Sequence, residues 1–242
     1  MNSFENKLSA IKFDKAEILN FTFLFAFLVL TFSVVITGIE SFKTESTQLR
    51  SVLTIETFVS LVAGYVYYKF LSGSINRSGT NPLDAEGISF KTSNGNHQEN
   101  TISYDYRYLD WFITTPFLLL SLFIILNDGE EFPWFPFLGV VILNILMLAG
   151  GYLAETGRIS KIVGWTIGAI ALFFMFYIIY ETFHPGDKPI FWFFVVLWSL
   201  YGIVFFVPYE YNIILYSILD VIAKAGLGFW TWLVSVGLVQ NF

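Results

Sequence analysis

Two ionisable residues stand four apart in a run that is otherwise apolar. The run Leu-Asp-Val-Ile-Ala-Lys places Asp220 and Lys224 on one helix face, about one turn apart. A buried Lys⁺ is costly. A buried Lys amine can also form a Schiff base with an aldehyde. A structural Lys–Asp pair locking helices together accounts for these two residues equally well. A second apolar run carries Arg107, Asp110, Thr114 and Ser121. At 100° per residue these four fall within about 60° of one another. Ser121 lies about 16 Å along the helix from Asp110. The stripe has the composition of a proton path with a basic gate at one end. Polar residues that merely pack helices together in a membrane give the same pattern.

The elements that must position these residues follow from composition. Of 242 residues, 55% are hydrophobic and only 13% charged, with 28 Phe. Soluble domains carry roughly a quarter charged residues, so most of this surface must meet lipid. Seven segments are long and apolar enough to span a bilayer: 17–39, 52–71, 106–127, 134–154, 161–181, 189–208 and 211–238. They lack the alternation of barrel strands. The expected fold is an all-α membrane protein, a seven-transmembrane-helix bundle forming one domain over 1–242. Residues 18–39 read as an uncleaved first span, being too long for a signal-peptide core. The one long connection, 72–105, is rich in Gly, Ser, Asn and Thr and has room for a small hairpin.

The remaining composition excludes other classes. Net charge is −6 with no basic tract, which argues against nucleic acid as a partner. There is no Cys, and the two His, His97 and His184, sit in polar stretches. No metal site is expected.

Arg-Tyr-Leu-Asp-Trp-Phe-Ile-Thr-Thr-Pro on the third span and Leu-Asp-Val-Ile-Ala-Lys on the seventh resemble the microbial (type 1) rhodopsin family. The resemblance covers nearly the whole chain. It implies all-trans-retinal held as a protonated Schiff base on Lys224, with Asp110 and Asp220 as counterions and Arg107 as the outer gate. Carried over position by position, the retinal pocket comprises Tyr108, Trp111, Thr114, Thr115 and Leu118 on the third helix. The fourth supplies Asn144, Met147 and Gly151, and the fifth Trp165, Gly168 and Leu172. The sixth supplies Trp198, Tyr201 and Phe205, with Gly202 where relatives often carry Pro. Leu at position 118 goes with green absorption in relatives.

The resemblance also implies a light-driven outward proton pump, an ion transporter rather than an enzyme. Asp110 is then the proton acceptor, and Thr114, one turn on, is placed to hydrogen-bond it. The triplet Asp110, Thr114, Ser121 differs from the chloride- and sodium-pump patterns. It is similar to the Asp-Thr-Ser triplet of giant-virus rhodopsins, which is consistent with a virus-encoded protein placed in a host membrane. Ser121 replaces the usual carboxylate donor. Glu56, one turn into the second helix and near the depth of Ser121, is the candidate substitute. An interfacial Glu facing headgroups is the competing reading. Glu210 is a candidate for an outer release network, with a solvated loop Glu as the competing reading. The alternatives within the family are a light-gated cation channel and a slow photosensor. Channels use several Glu on the second helix, where only Glu56 is available.

Partners implied are protons, the lipid bilayer and further copies of the chain, as a trimer or pentamer. The resemblance places the N-terminus outside and the C-terminus in the cytoplasm. The distribution of Lys and Arg points the other way. The motifs outweigh that distribution, since part of the outer positive charge lies in the long 72–105 loop, which weighs less in that rule.

Overall fold

The computed structural model describes residues 15–75, 98–127, 129–186 and 188–239. Its helices follow chain order as α1 (Lys15–Lys43), α2 (Thr47–Ile75), α3 (Gln98–Leu126), α4 (Trp134–Glu155), α5 (Lys161–Phe183) and α6 (Pro189–Val204). The seventh, α7, is α-helical over Tyr209–Val221, passes through a π turn at Ile222–Gly226 and is α-helical again over Leu227–Ser235. The hairpin expected within 72–105 falls mostly outside the described residues.

The bundle is turned inside out relative to a soluble protein. Phe21, Phe25, Phe32, Ile142, Ile170 and Phe173 are exposed, whereas Glu56, Arg107, Asp110, Asn144, Asp220 and Lys224 are buried. That arrangement suits a lipid solvent, since charged groups in a bilayer avoid the hydrocarbon and gather inside the bundle. The protein is a multi-pass integral membrane protein. Among the described residues, six helices are long and apolar enough to cross a bilayer; α6, with 16 residues, is shorter than its expected 189–208. The apolar run continues through Phe205–Val207, but the chain there turns, and Phe206 and Val207 bond back to Ile203 and Val204. Pro208 then precedes α7.

Local signals explain the ends. Ser160 caps α5, its side chain accepting from the Val163 N–H at 3.3 Å. Pro189 occupies the first turn of α6, where its missing N–H costs nothing. Pro116 lies inside α3. Gly157, at φ +74°, turns the chain between α4 and α5. Those two helices cross closely at Gly150 and Gly164, where a Cβ on Gly164 would come within 2.5 Å of the Gly150 carbonyl oxygen.

Candidate functional site

Lys224 projects from the π turn of α7 into the bundle and is fully buried. Its Nζ donates a short hydrogen bond to Asp110 Oδ2 on α3. Asp220, one turn earlier on α7, has Oδ1 3.8 Å from the same Nζ. The two carboxylates differ in how they are held. Asp220 accepts from Tyr67 at 2.8 Å, from Trp111 Nε1 at 2.9 Å and from Tyr201 at 2.8 Å. Asp110 Oδ1 is buried and has no hydrogen-bond partner. The Thr114 hydroxyl donates to the backbone carbonyl of Asp110 at 2.8 Å and borders its carboxylate.

A cavity of about 360 Å³ begins at Lys224 and Asp220. Its wall includes Tyr108, Trp111, Thr115, Leu118, Met147, Gly151, Trp165, Trp198, Tyr201 and Phe205. Gly168 and Leu172 also line it. Thr114 is buried but does not belong to that wall, and Asn144 sits behind it, donating to the Thr115 hydroxyl at 2.7 Å. Trp165 donates to the Gly202 carbonyl at 3.1 Å, tying α5 to α6. Gly151 is bare for a reason. A Cβ there would stand 2.6 Å from the Tyr108 hydroxyl.

The cavity volume lies in the range of small-molecule sites, and its polar groups converge on one amine. An elongated polyene aldehyde fits this lining. Apolar and aromatic walls would hold the chain, and the Lys224 amine opens onto one end of the cavity.

Toward the start of α3, Arg107 is buried, with its guanidinium 5.1 Å from the Tyr216 ring centroid and 6.0 Å from that of Trp111. Its foremost attractive electrostatic partner is Glu155, the last residue of α4. Both Glu155 carboxylate oxygens are buried. Tyr108 and Lys161 are its other polar neighbours. Sequence reasoning passed over Glu155, Tyr67 and Tyr216. A Glu closing an apolar run looks like an interfacial residue, and a Tyr in a helix looks like core packing. Glu210 lies in the first turn of α7, and its side chain falls outside the described residues.

Toward the other end of α3, Ser121 donates to Glu56 Oε1 at 2.6 Å. Glu56 is fully buried, so it does not face headgroups, and its Oε2 has no hydrogen-bond partner. The site thus runs from Glu155 and Arg107, through the Lys224–Asp110–Asp220 cluster, to Ser121 and Glu56.

Comparison with known proteins bears on this arrangement. The profile of the bacteriorhodopsin-like protein family matches residues 16–238. Bacteriorhodopsin of Halobacterium salinarum is 28% identical over 152 residues, covering 54% of this chain and 56% of that one. Opsin-1 of Neurospora crassa is 27% identical over 209 residues, covering 76% of this chain and 66% of the other. The matched region thus spans less than two thirds of either relative. Among solved structures, viral rhodopsin OLPVRII superposes with a TM-score of 0.75 at 26% identity, covering 92% of this chain and 99% of that one.

Proposed function

Because the chain belongs to the bacteriorhodopsin-like family, whose matched region spans nearly all of it, we propose that it is a retinal protein that pumps protons when illuminated, moving them from the Glu56 end to the Arg107 end. All-trans-retinal bound on Lys224 would supply light absorption and a change of shape at the amine. The observation that carries this reading is the Lys224 amine opening onto a cavity of about 360 Å³ while bonded to a carboxylate with a free oxygen.

The two acids divide the work. The three donors on Asp220 bond its ionised form more strongly than its protonated form, so they favour its staying charged. Asp110 has an unoccupied oxygen, so it accepts the proton from the Lys224 nitrogen. Asp220, fixed by Tyr67, Trp111 and Tyr201, remains the standing counter-charge. Arg107, one turn beyond Asp110, is the cation that a further proton on that side meets. Glu56 returns a proton from the other side through Ser121, whose hydroxyl both donates and accepts. Serine alone cannot supply that proton near neutral pH.

A single Glu on α2 and a core of Leu118, Leu119, Leu122 and Phe123 beside Ser121 favour a pump over an open cation channel. The family resemblance orients the N-terminus outward, makes pumping outward and points to a homo-oligomer. The deciding measurement is external pH around illuminated, retinal-loaded cells in unbuffered medium. Acidification abolished by a protonophore is expected. A current that reverses with voltage identifies a channel instead. Absence of both, with a visible band present, leaves the photosensor.

A further inference from the structure

Between Glu56 and the near end of the bundle, the α2–α3 interface is apolar apart from Gln48, whose side-chain amide donates to the Ile124 carbonyl at 2.8 Å. Beyond Ser121 the buried residues of α3 are Leu122, Phe123, Ile125 and Leu126, and the neighbouring Val52 and Leu53 of α2 are equally apolar. Among the described residues, the buried polar side chains at this end, apart from Glu56, Ser121 and Thr231, lie on the seam between α1 and α2.

On α1, Ser33, Thr37 and Ser41 recur every four residues and share one face. Thr44 follows just past the helix end, and all four are buried. The other face of α1 carries exposed Phe32, Val35, Ile39 and Phe42. Across the seam, Ser60 donates to the Ser33 hydroxyl at 3.1 Å, and the Thr37 and Thr57 hydroxyls lie 2.8 Å apart. From Ser33 to Thr44 the column rises about 16 Å. Arg50 donates to the Thr44 carbonyl at the end of it, at 2.7 Å.

The column meets Glu56 at Gly228 of α7. A Cβ there would stand 2.8 Å from Ser33 Oγ, 3.2 Å from Thr37 Cγ2 and 3.7 Å from Glu56 Cβ. Three helices therefore converge where the chain has no side chain. Glu56 Cβ borders this convergence, and the residue's Oε2 is buried without a hydrogen-bond partner.

The threonine pair has a property that simple helix packing does not require. Thr37 is placed to donate to the Ser33 carbonyl at 2.7 Å, and Thr57 to the Leu53 carbonyl at 2.7 Å, while each also reaches the other. Two hydroxyl protons face three such bonds, because a hydroxyl carries one proton. One bond is always unmade, and arrangements of equal bond count interconvert by rotating a hydroxyl.

We propose that Glu56 is reprotonated along the α1–α2 seam, through the hydroxyls of Ser41, the Thr37–Thr57 pair and Ser33–Ser60, rather than through the bundle centre. A proton enters beside Thr44. Water molecules would bridge the turns from Ser41 to the threonine pair, from that pair to Ser33–Ser60, and from there to Glu56. Each hydroxyl and each water accepts one proton and passes on its own, so one proton reaches Glu56 and every carrier is restored. This rests on the reading of Glu56 as inner donor.

The test uses retinal-loaded protein in lipid vesicles and follows the return of the dark-state absorption after a flash. The Thr37→Val/Thr57→Val variant is expected to slow that return about tenfold, without changing the dark band or the initial light-induced steps. Thr37→Ser/Thr57→Ser, which keeps both hydroxyls, should return at the unaltered rate. If the valine variant does not assemble, Ser33→Ala/Ser60→Ala takes its place with the same expectation. Infrared bands of the Glu56 carboxyl group, assigned by their loss in Glu56→Gln, should shift in the hydroxyl-free variant. Unaltered return in the hydroxyl-free variants, alongside slowing by Glu56→Gln, overturns the seam route and leaves the donor intact. Unaltered return in Glu56→Gln as well overturns the donor reading itself.

Discussion

At the scale of single residues, the chemistry is concentrated in how three charges are held. Lys224→Ala should give no visible band on addition of all-trans-retinal, read by absorption of the purified protein. Asp110→Asn removes the carboxylate whose oxygen stands free, and it should abolish light-driven acidification while leaving a visible band. Glu56→Gln should slow recovery of the dark state by at least tenfold, since general acid–base groups of this kind contribute about 10²–10⁴. Flash photolysis reads that rate; an unaltered rate removes Glu56 from the cycle. These residues were legible because a charge inside an apolar run is conspicuous at any position. Glu155 was not, since it closes α4 and looks like an ordinary helix end. Tyr67 was not either. Its hydrogen bond to Asp220 depends on how α2 is rotated against α7, and an apolar sequence leaves that rotation undetermined.

At the scale of elements, the third span fixed the most. Its stripe set one face of α3 inward and so oriented Trp111, Thr115 and Leu118 toward the cavity. The sixth was read too long, because apolar content does not separate the last turn of a helix from the turn that follows it. Close crossings were also invisible in the sequence, although Gly150 and Gly164 create one between α4 and α5. Gly164→Ala should force those helices apart. Overpacking of this kind costs about 1–3 kcal/mol. The expected outcome is a lower temperature of thermal bleaching with the photochemical steps retained.

At the scale of the whole molecule, the two ends of the bundle are not alike. One holds Arg107, Glu155 and a ring of tyrosines, and the other an apolar core with a hydroxyl seam at its edge. The charge distribution and the motifs disagree about which end faces outward, and the chain offers a direct way to decide. It contains no Cys, so a single introduced thiol is unique. Arg158 and Glu45 are exposed near opposite ends of the bundle. With the N-terminus outside, Arg158→Cys should react with a membrane-impermeant maleimide on intact cells and Glu45→Cys should not. The reverse pattern would invert the direction of pumping proposed above.

The π turn at Ile222–Gly226 has a consequence for how this chain tolerates insertion and deletion. A π turn accommodates roughly one residue more than an α turn. Removing one residue from it would restore a regular helix and keep every hydrogen-bonding group occupied. Because the π turn holds about one residue more than an α turn over the same sweep, the half beyond would keep its phase, and Gly228 its place beside Ser33 and Glu56. The extra residue is thus absorbed within the turn that carries Lys224. Deleting Ile222, whose side chain is exposed, should leave the bundle assembled while displacing the Lys224 amine relative to Asp110 and the cavity.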